Sequence, residues 1–190
     1  MRQFASSSFR LWNLGSEAKL LYTTFCVLTL AGVVSSAVYY GDLVGGGTGG
    51  IRSYYAGEGS GDNAWPAVVA GGPQIDLPDG AVGPSGRLVV AVSFRKLLEV
   101  THFHLFTMPV VLLIVGHLFL ATGLGERAKI TWIAAASAAV ALHLATPWLV
   151  HYAGGGLAAL HALSGAALVV TMTFLAGYPV LAMWRRPPAG

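Results

Sequence analysis

The chain has 190 residues, of which 55% are hydrophobic and only 10% charged, with a mean hydropathy of +0.65 and a formal charge of +3. An average soluble domain carries roughly 25% charged residues, so a soluble globular enzyme is excluded. Disorder needs low hydrophobicity, and the single cysteine, Cys26, cannot build a disulfide scaffold.

What remains is a small integral membrane protein. Its basic residues are scattered and form no phosphate-binding patch, so no nucleic acid is expected as a partner. A spanning helix needs about 20 mostly apolar residues. The first such run, residues 20–40, is uncharged and lies between Lys19 and Asp42. Val34, Ser35, Ser36 and Ala37 faintly resemble a signal-peptidase site, but the run is long for a signal peptide. The segment 41–94 follows. Its first half is rich in glycine, which argues for flexibility or close backbone contact, and Pro66, Pro73, Pro78 and Pro84 mark turns in the rest. Residues 88–92 are a short apolar run, readable as a strand or as a segment on the membrane surface. Ser93 is a fitting N-cap for the helix that comes next.

The second run, 97–124, holds Glu99 and three histidines. The third, 130–150, and the fourth, 156–184, carry no Asp, Glu, Lys or Arg. Backbone groups in lipid must bond within their own segment, so all four are expected to be helices. The expected fold is all-α: a single membrane domain over residues 1–190, with four transmembrane helices in a bundle and one long glycine-rich extracytoplasmic loop. With the N-terminus inside, Arg2, Arg10, Lys19, Arg127, Lys129, Arg185 and Arg186 are cytoplasmic, seven of the eleven basic residues. The positive-inside rule therefore places a multi-pass protein in the cytoplasmic membrane with both termini inside.

The chemistry lies in six histidines, and no nucleophile elbow, phosphate loop, cysteine pair or carboxylate cluster accompanies them. Polar groups at bilayer depth are costly and usually carry a function. At ~1.5 Å rise per residue, His102 and His161 lie about 7.5 Å from the outer end of their helices, and His104 and His143 about 10 Å. His117 falls roughly 30 Å along the second run, without a histidine partner at that depth. A helix turns about 100° per residue, which sets His102 and His104 on opposite faces. His102 shares a face with Phe106, Pro109, Leu113, Gly116 and His117, which reads as a bundle interior with room for something bulky. Haem b suits single histidines on different helices at matched depth, with small residues where the macrocycle passes, such as Gly165 four residues after His161.

Histidines on spanning helices, a pair about four turns apart (His102 or His104, with His117) and the His161-x-x-x-Gly165 spacing resemble the small haem-b subunits of membrane hydrogenases and formate dehydrogenases. The resemblance covers roughly residues 96–184. It implies bis-histidine haem passing electrons to or from quinone, within a larger oxidoreductase. This chain departs from the two-haem pattern, because its first span has no histidine. One haem is therefore expected rather than two, held by His102 with His161 or alternatively by His104 with His143. His117 is a further candidate, with Met172 as a non-histidine partner. Glu99 is a candidate proton acceptor beside a quinol, or a headgroup-level acid. His151, at a helix end, reads as structural. The expected partners are the lipid bilayer and other membrane or periplasmic redox subunits, with no catalysis by this chain alone. Two other readings stand beside this one. The first is a Cu- or Zn-binding membrane protein, since imidazole suits both metals. The second is a cofactor-free accessory subunit packed through small-residue stripes such as 134–139.

Overall fold

A computed structural model describes residues 10–45, 47–57, 65–66, 87–88 and 91–185. Among them, four helices are long and apolar enough to cross a membrane. They are α1 (Ser16–Val44), α3 (Phe94–Leu120), α4 (Glu126–Ala153) and α5 (Ala158–Trp184), with the short α2 (Gly47–Ile51) after α1. A two-residue bridge joins β1 (Trp65–Pro66) to β2 (Arg87–Leu88) in antiparallel register. The chain is thus an all-α integral membrane protein.

The ends of the long helices are set by capping rather than by hydropathy. At the start of α3, the Lys96 N–H donates to the Ser93 hydroxyl at 3.3 Å, as expected of the N-cap. Its other end comes at Leu120, four residues before the apolar run stops. There the Thr122 hydroxyl takes the Phe119 carbonyl at 2.7 Å, and the Lys129 ammonium takes the Leu120 carbonyl at 2.6 Å. Both remove the need for another helical turn. Gly154, at φ 101°, follows α4 in a positive-φ conformation that glycine adopts readily. Pro109, Pro147 and Pro179 lie inside α3, α4 and α5, which continue past them.

The contacts resolve into two units. One comprises Met1–Ser36, Phe106–Val140 and Ala167–Gly190. Here Phe119 is fully buried and meets Phe174 and Tyr178 edge-on at 5.6 and 6.1 Å, while Trp132 stacks on Phe174 at 4.0 Å. Cys26 is also fully buried, as a small apolar group. Trp184 donates to the Thr23 hydroxyl at 3.0 Å, with the Lys19 ammonium 5.8 Å from its ring centroid.

The other unit comprises Ala37–Leu105 and Ala141–Ala166. Its core is Val44, Ile51, Val150 and Ala158, with Tyr40, Tyr54, Tyr55 and Leu157 packed against it. Of the glycine-rich stretch after α1, the described residues 47–57 are ordered. They form α2 and then a π-helical turn (Arg52–Ala56), which Gly57 closes at φ 68°. A side chain on Gly50 would run into the Val44 carbonyl, so the glycine there permits close backbone packing. Three hydrogen bonds tie the segment down. Arg52 Nε donates to the Gly155 carbonyl at 3.0 Å, His151 Nδ1 to the Tyr55 carbonyl at 2.8 Å, and the Val92 N–H to the Tyr54 carbonyl at 2.8 Å.

A candidate site at a crossed histidine pair

In the second unit, α4 and α5 bring two histidines together. The rings of His143 and His161 stack with centroids 4.8 Å apart and planes 12° from parallel. His161 is only 2% exposed. Each ring is held by a hydroxyl on the opposite helix. His161 Nδ1 lies 2.7 Å from Thr146 Oγ1, and His143 Nδ1 lies 3.2 Å from Ser164 Oγ. Each hydroxyl in turn reaches the backbone of the histidine three residues before it. Ser164 donates to the His161 carbonyl at 2.8 Å, and Thr146 to the His143 carbonyl at 3.4 Å. That second carbonyl lacks its usual helical partner, because Pro147 has no N–H to give it.

Each Nδ1 is thus engaged across the helix pair, and which partner donates follows whichever ring nitrogen carries the proton. In His104 and His117 a carbonyl sets the tautomer. Their Nδ1 atoms lie 2.7 Å from the Val100 carbonyl and 2.9 Å from the Leu113 carbonyl, and a carbonyl can only accept. His151 does likewise with Tyr55.

Among the described residues, His161 Nε2 is a buried side-chain atom that meets no hydrogen-bond partner, while the Tyr40 hydroxyl lies beside that of Tyr55. They belong to one aromatic cluster. The His161 ring lies 5.7 Å from the Tyr40 ring and 5.2 Å from the Tyr55 ring, which meets it edge-on. Burial, reinforced by Tyr54, holds the Tyr55 phenol well above its ordinary pKa.

The structure redistributes the expected site residues. His161 pairs with His143 rather than with His102, which stands exposed on α3 with its ring edge-on to Phe103. Phe106, Pro109, Leu113 and His117, expected with His102 on an interior face, are exposed as well; of that group only Gly116 is buried. Helical azimuth shows which residues share a face but not which face is covered. The space beside Gly165 is filled by an imidazole: a methyl there would touch His143 Cε1 at 3.4 Å. His104 is half-buried and lies close enough to His143 for the rings to interact electrostatically. Met172 is buried while His117 is exposed. Glu99 is about half exposed and pairs with Lys96 at 3.3 Å, one turn back on the same helix. No group of three or more His, Cys, Asp or Glu side chains that could hold a metal ion occurs among the described residues.

Sequence reasoning missed Thr146, Ser164, Tyr40 and Tyr55. The hydroxyls do carry a signal. His143-Leu-Ala-Thr146 and His161-Ala-Leu-Ser164 repeat one pattern, a histidine followed three residues later by a small hydroxyl.

A family described as a transmembrane helical domain, Aq_1264_TM, matches residues 45–189, and the chain belongs to it. No curated protein and no solved structure matches the chain.

Proposed function

We propose that this chain is a b-type cytochrome subunit of a membrane oxidoreductase, carrying electrons between quinol and a redox partner. The observation that carries the reading is that four histidines within the spans have Nδ1 engaged by a carbonyl or a hydroxyl. A haem would be held through the other ring nitrogen, Nε2, with Nδ1 fixed by its hydrogen bond. Bis-imidazole haem supplies one-electron transfer at its iron.

Stacked face to face, His143 and His161 would not hold one haem between them. His104 and His143 are the favoured ligands, and they would leave His161 beside them with a separate role. Ser164 holds the His143 ring in place, and the Val100 carbonyl fixes the tautomer of His104. The distribution of Lys and Arg supports the cytoplasmic membrane, with both termini inside.

An oxidised-minus-reduced spectrum of the detergent-purified chain tests the reading, with pyridine haemochrome to count haems. One b-type haem per chain is expected, lost in His104→Ala and His143→Ala and kept in His151→Ala. Folded protein without haem overturns it. The cofactor-free accessory subunit is then preferred. Its support is α1, where only 6% of the most apolar window is buried by the rest of the chain.

A further inference from the structure

On α5, Val170, Phe174, Gly177, Tyr178 and Leu181 recur at three- and four-residue steps, so they form one stripe along the helix. With Trp132 of α4 they line a groove of about 560 Å³ in the first unit. Its lining is almost wholly apolar. Trp132, stacked on Phe174, stands as one wall. Gly177 keeps the space open, since a methyl built there would meet nothing within 4 Å. From Val170 to Leu181 the stripe runs about 16 Å at a rise of ~1.5 Å per residue. One leaflet of hydrocarbon is half of a core about 30 Å thick. The groove is therefore about as long as one lipid chain is deep. Beyond Leu181 the stripe turns basic. The Arg185 N–H donates to the Leu181 carbonyl at 3.1 Å, so the helical path continues and sets Arg185 one turn further along the same face. On α4, Lys129 stands one turn before Trp132, and Arg127 lies in the same first turn, where Glu126 is the acid. Three cations against one acid leave this end of the groove positive.

We propose that this groove binds one anionic phospholipid, with an acyl chain along the α5 stripe and its phosphate at Arg185 and Lys129. A guanidinium fork takes two phosphate oxygens at once. The Lys129 ammonium has three donors and gives one to the Leu120 carbonyl, so a phosphate oxygen can take another. Basic clefts between spanning helices suit anionic head groups for this reason. The other candidates match only half of the site. A quinone tail fills the apolar part and brings no charge to the basic end. A second copy of this chain, inserted the same way round, brings the same cations to that end and sets like against like. The lipid site rests on the spans alone and does not depend on haem.

The test is tryptophan fluorescence of the full chain in phosphatidylcholine nanodiscs. A small fraction of the lipid carries bromine on its acyl chains, which quenches an indole in contact with it. The brominated lipid is either phosphatidylglycerol or phosphatidylcholine. Subtracting the signal of Trp132→Phe, which keeps a ring on Phe174, isolates Trp132 from the other four tryptophans. Each comparison is between lipids around one protein, so bound haem cancels. Brominated phosphatidylglycerol is expected to quench Trp132 at a lower fraction than brominated phosphatidylcholine. Arg185→Gln is expected to raise the fraction needed about fivefold, the effect of one basic residue at a lipid surface. Gly177→Leu, which fills the groove from an open position, is expected to abolish the preference. Equal quenching by the two lipids overturns the proposal, as does a preference that survives both substitutions. Quenching relieved by menaquinone but not by unlabelled phosphatidylglycerol overturns it in favour of a quinone tail. Trp132 left unquenched by either lipid, in protein that cross-links as a dimer, overturns it in favour of a second copy.

Discussion

Thr146 serves three groups at once. It lies 2.7 Å from His161 Nδ1, reaches the carbonyl freed by Pro147, and lies 3.3 Å from Ser164. Thr146→Val keeps the volume and removes the hydroxyl, leaving a buried imidazole nitrogen without its partner. The expected loss is about 1–3 kcal/mol, measured by thermal unfolding in detergent. Ser164→Ala is expected to cost less, because His143 is only half-buried and its contact is longer. A Thr146→Val loss no larger than that of Ser164→Ala contradicts the ranking. Gly165→Ala places a methyl in ordinary contact with His143, so a cost below ~1 kcal/mol is expected; Gly165→Leu drives the ring from its stack. The histidines could be found from the sequence because imidazoles are rare in apolar helices. Their hydroxyl partners carry only the weaker signal of spacing, since Ser and Thr are common there and satisfy themselves against their own helix, as Ser137 does with the Ile133 carbonyl. Only the facing helix turns such a hydroxyl into a partner.

At the scale of elements, hydropathy placed every span and missed most of their ends. Residues 20–40 became Ser16–Val44, and 97–124 became Phe94–Leu120. An apolar run records where lipid begins, whereas a helix ends where its last carbonyls find other donors, and Lys129 supplies one from beyond the turn. In the stretch after α1, close backbone contact was one of the two readings that composition left open, and it is the one seen at Gly50. Arg52 and His151 convert that approach into order. Arg52→Ala is expected to speed amide hydrogen exchange across residues 47–57 and leave α5 unchanged; equal rates would show that the fastening does not matter. The same segment is expected to be sensitive to alkali. Tyr54 and Tyr55 have phenols raised by burial, so their folded pKa values exceed the unfolded value near 10. Their contribution is fully present below that value and is lost as pH rises above it. Exchange in 47–57 should therefore accelerate above about pH 10, less so in Tyr55→Phe.

For the whole molecule, composition alone was enough to assign the class. With so few charges, a chain of this length has no way to solvate a globule, and the four long helices follow from the need to close backbone hydrogen bonds in lipid. The proposed orientation, with both termini inside, predicts a labelling pattern. In a Cys26→Ser background, Thr48→Cys is expected to react with a membrane-impermeant thiol reagent in intact cells. Arg185→Cys is expected to react only after permeabilisation. The reverse pattern would invert the orientation and require a new reading of the Lys and Arg distribution. Which helix face meets which was not legible, because at bilayer depth apolar residues suit lipid and protein neighbours equally well.

The crossed pair has a mechanical consequence. Because each histidine borrows its partner from the other helix, the two bonds share a single rotational setting. A helix turns about 100° per residue, so a slip of one residue by either α4 or α5 carries both its histidine and its hydroxyl out of reach. The arrangement acts as a spline: it engages fully or not at all, and a side-chain change anywhere along either helix that alters its roll will be registered by both imidazoles together.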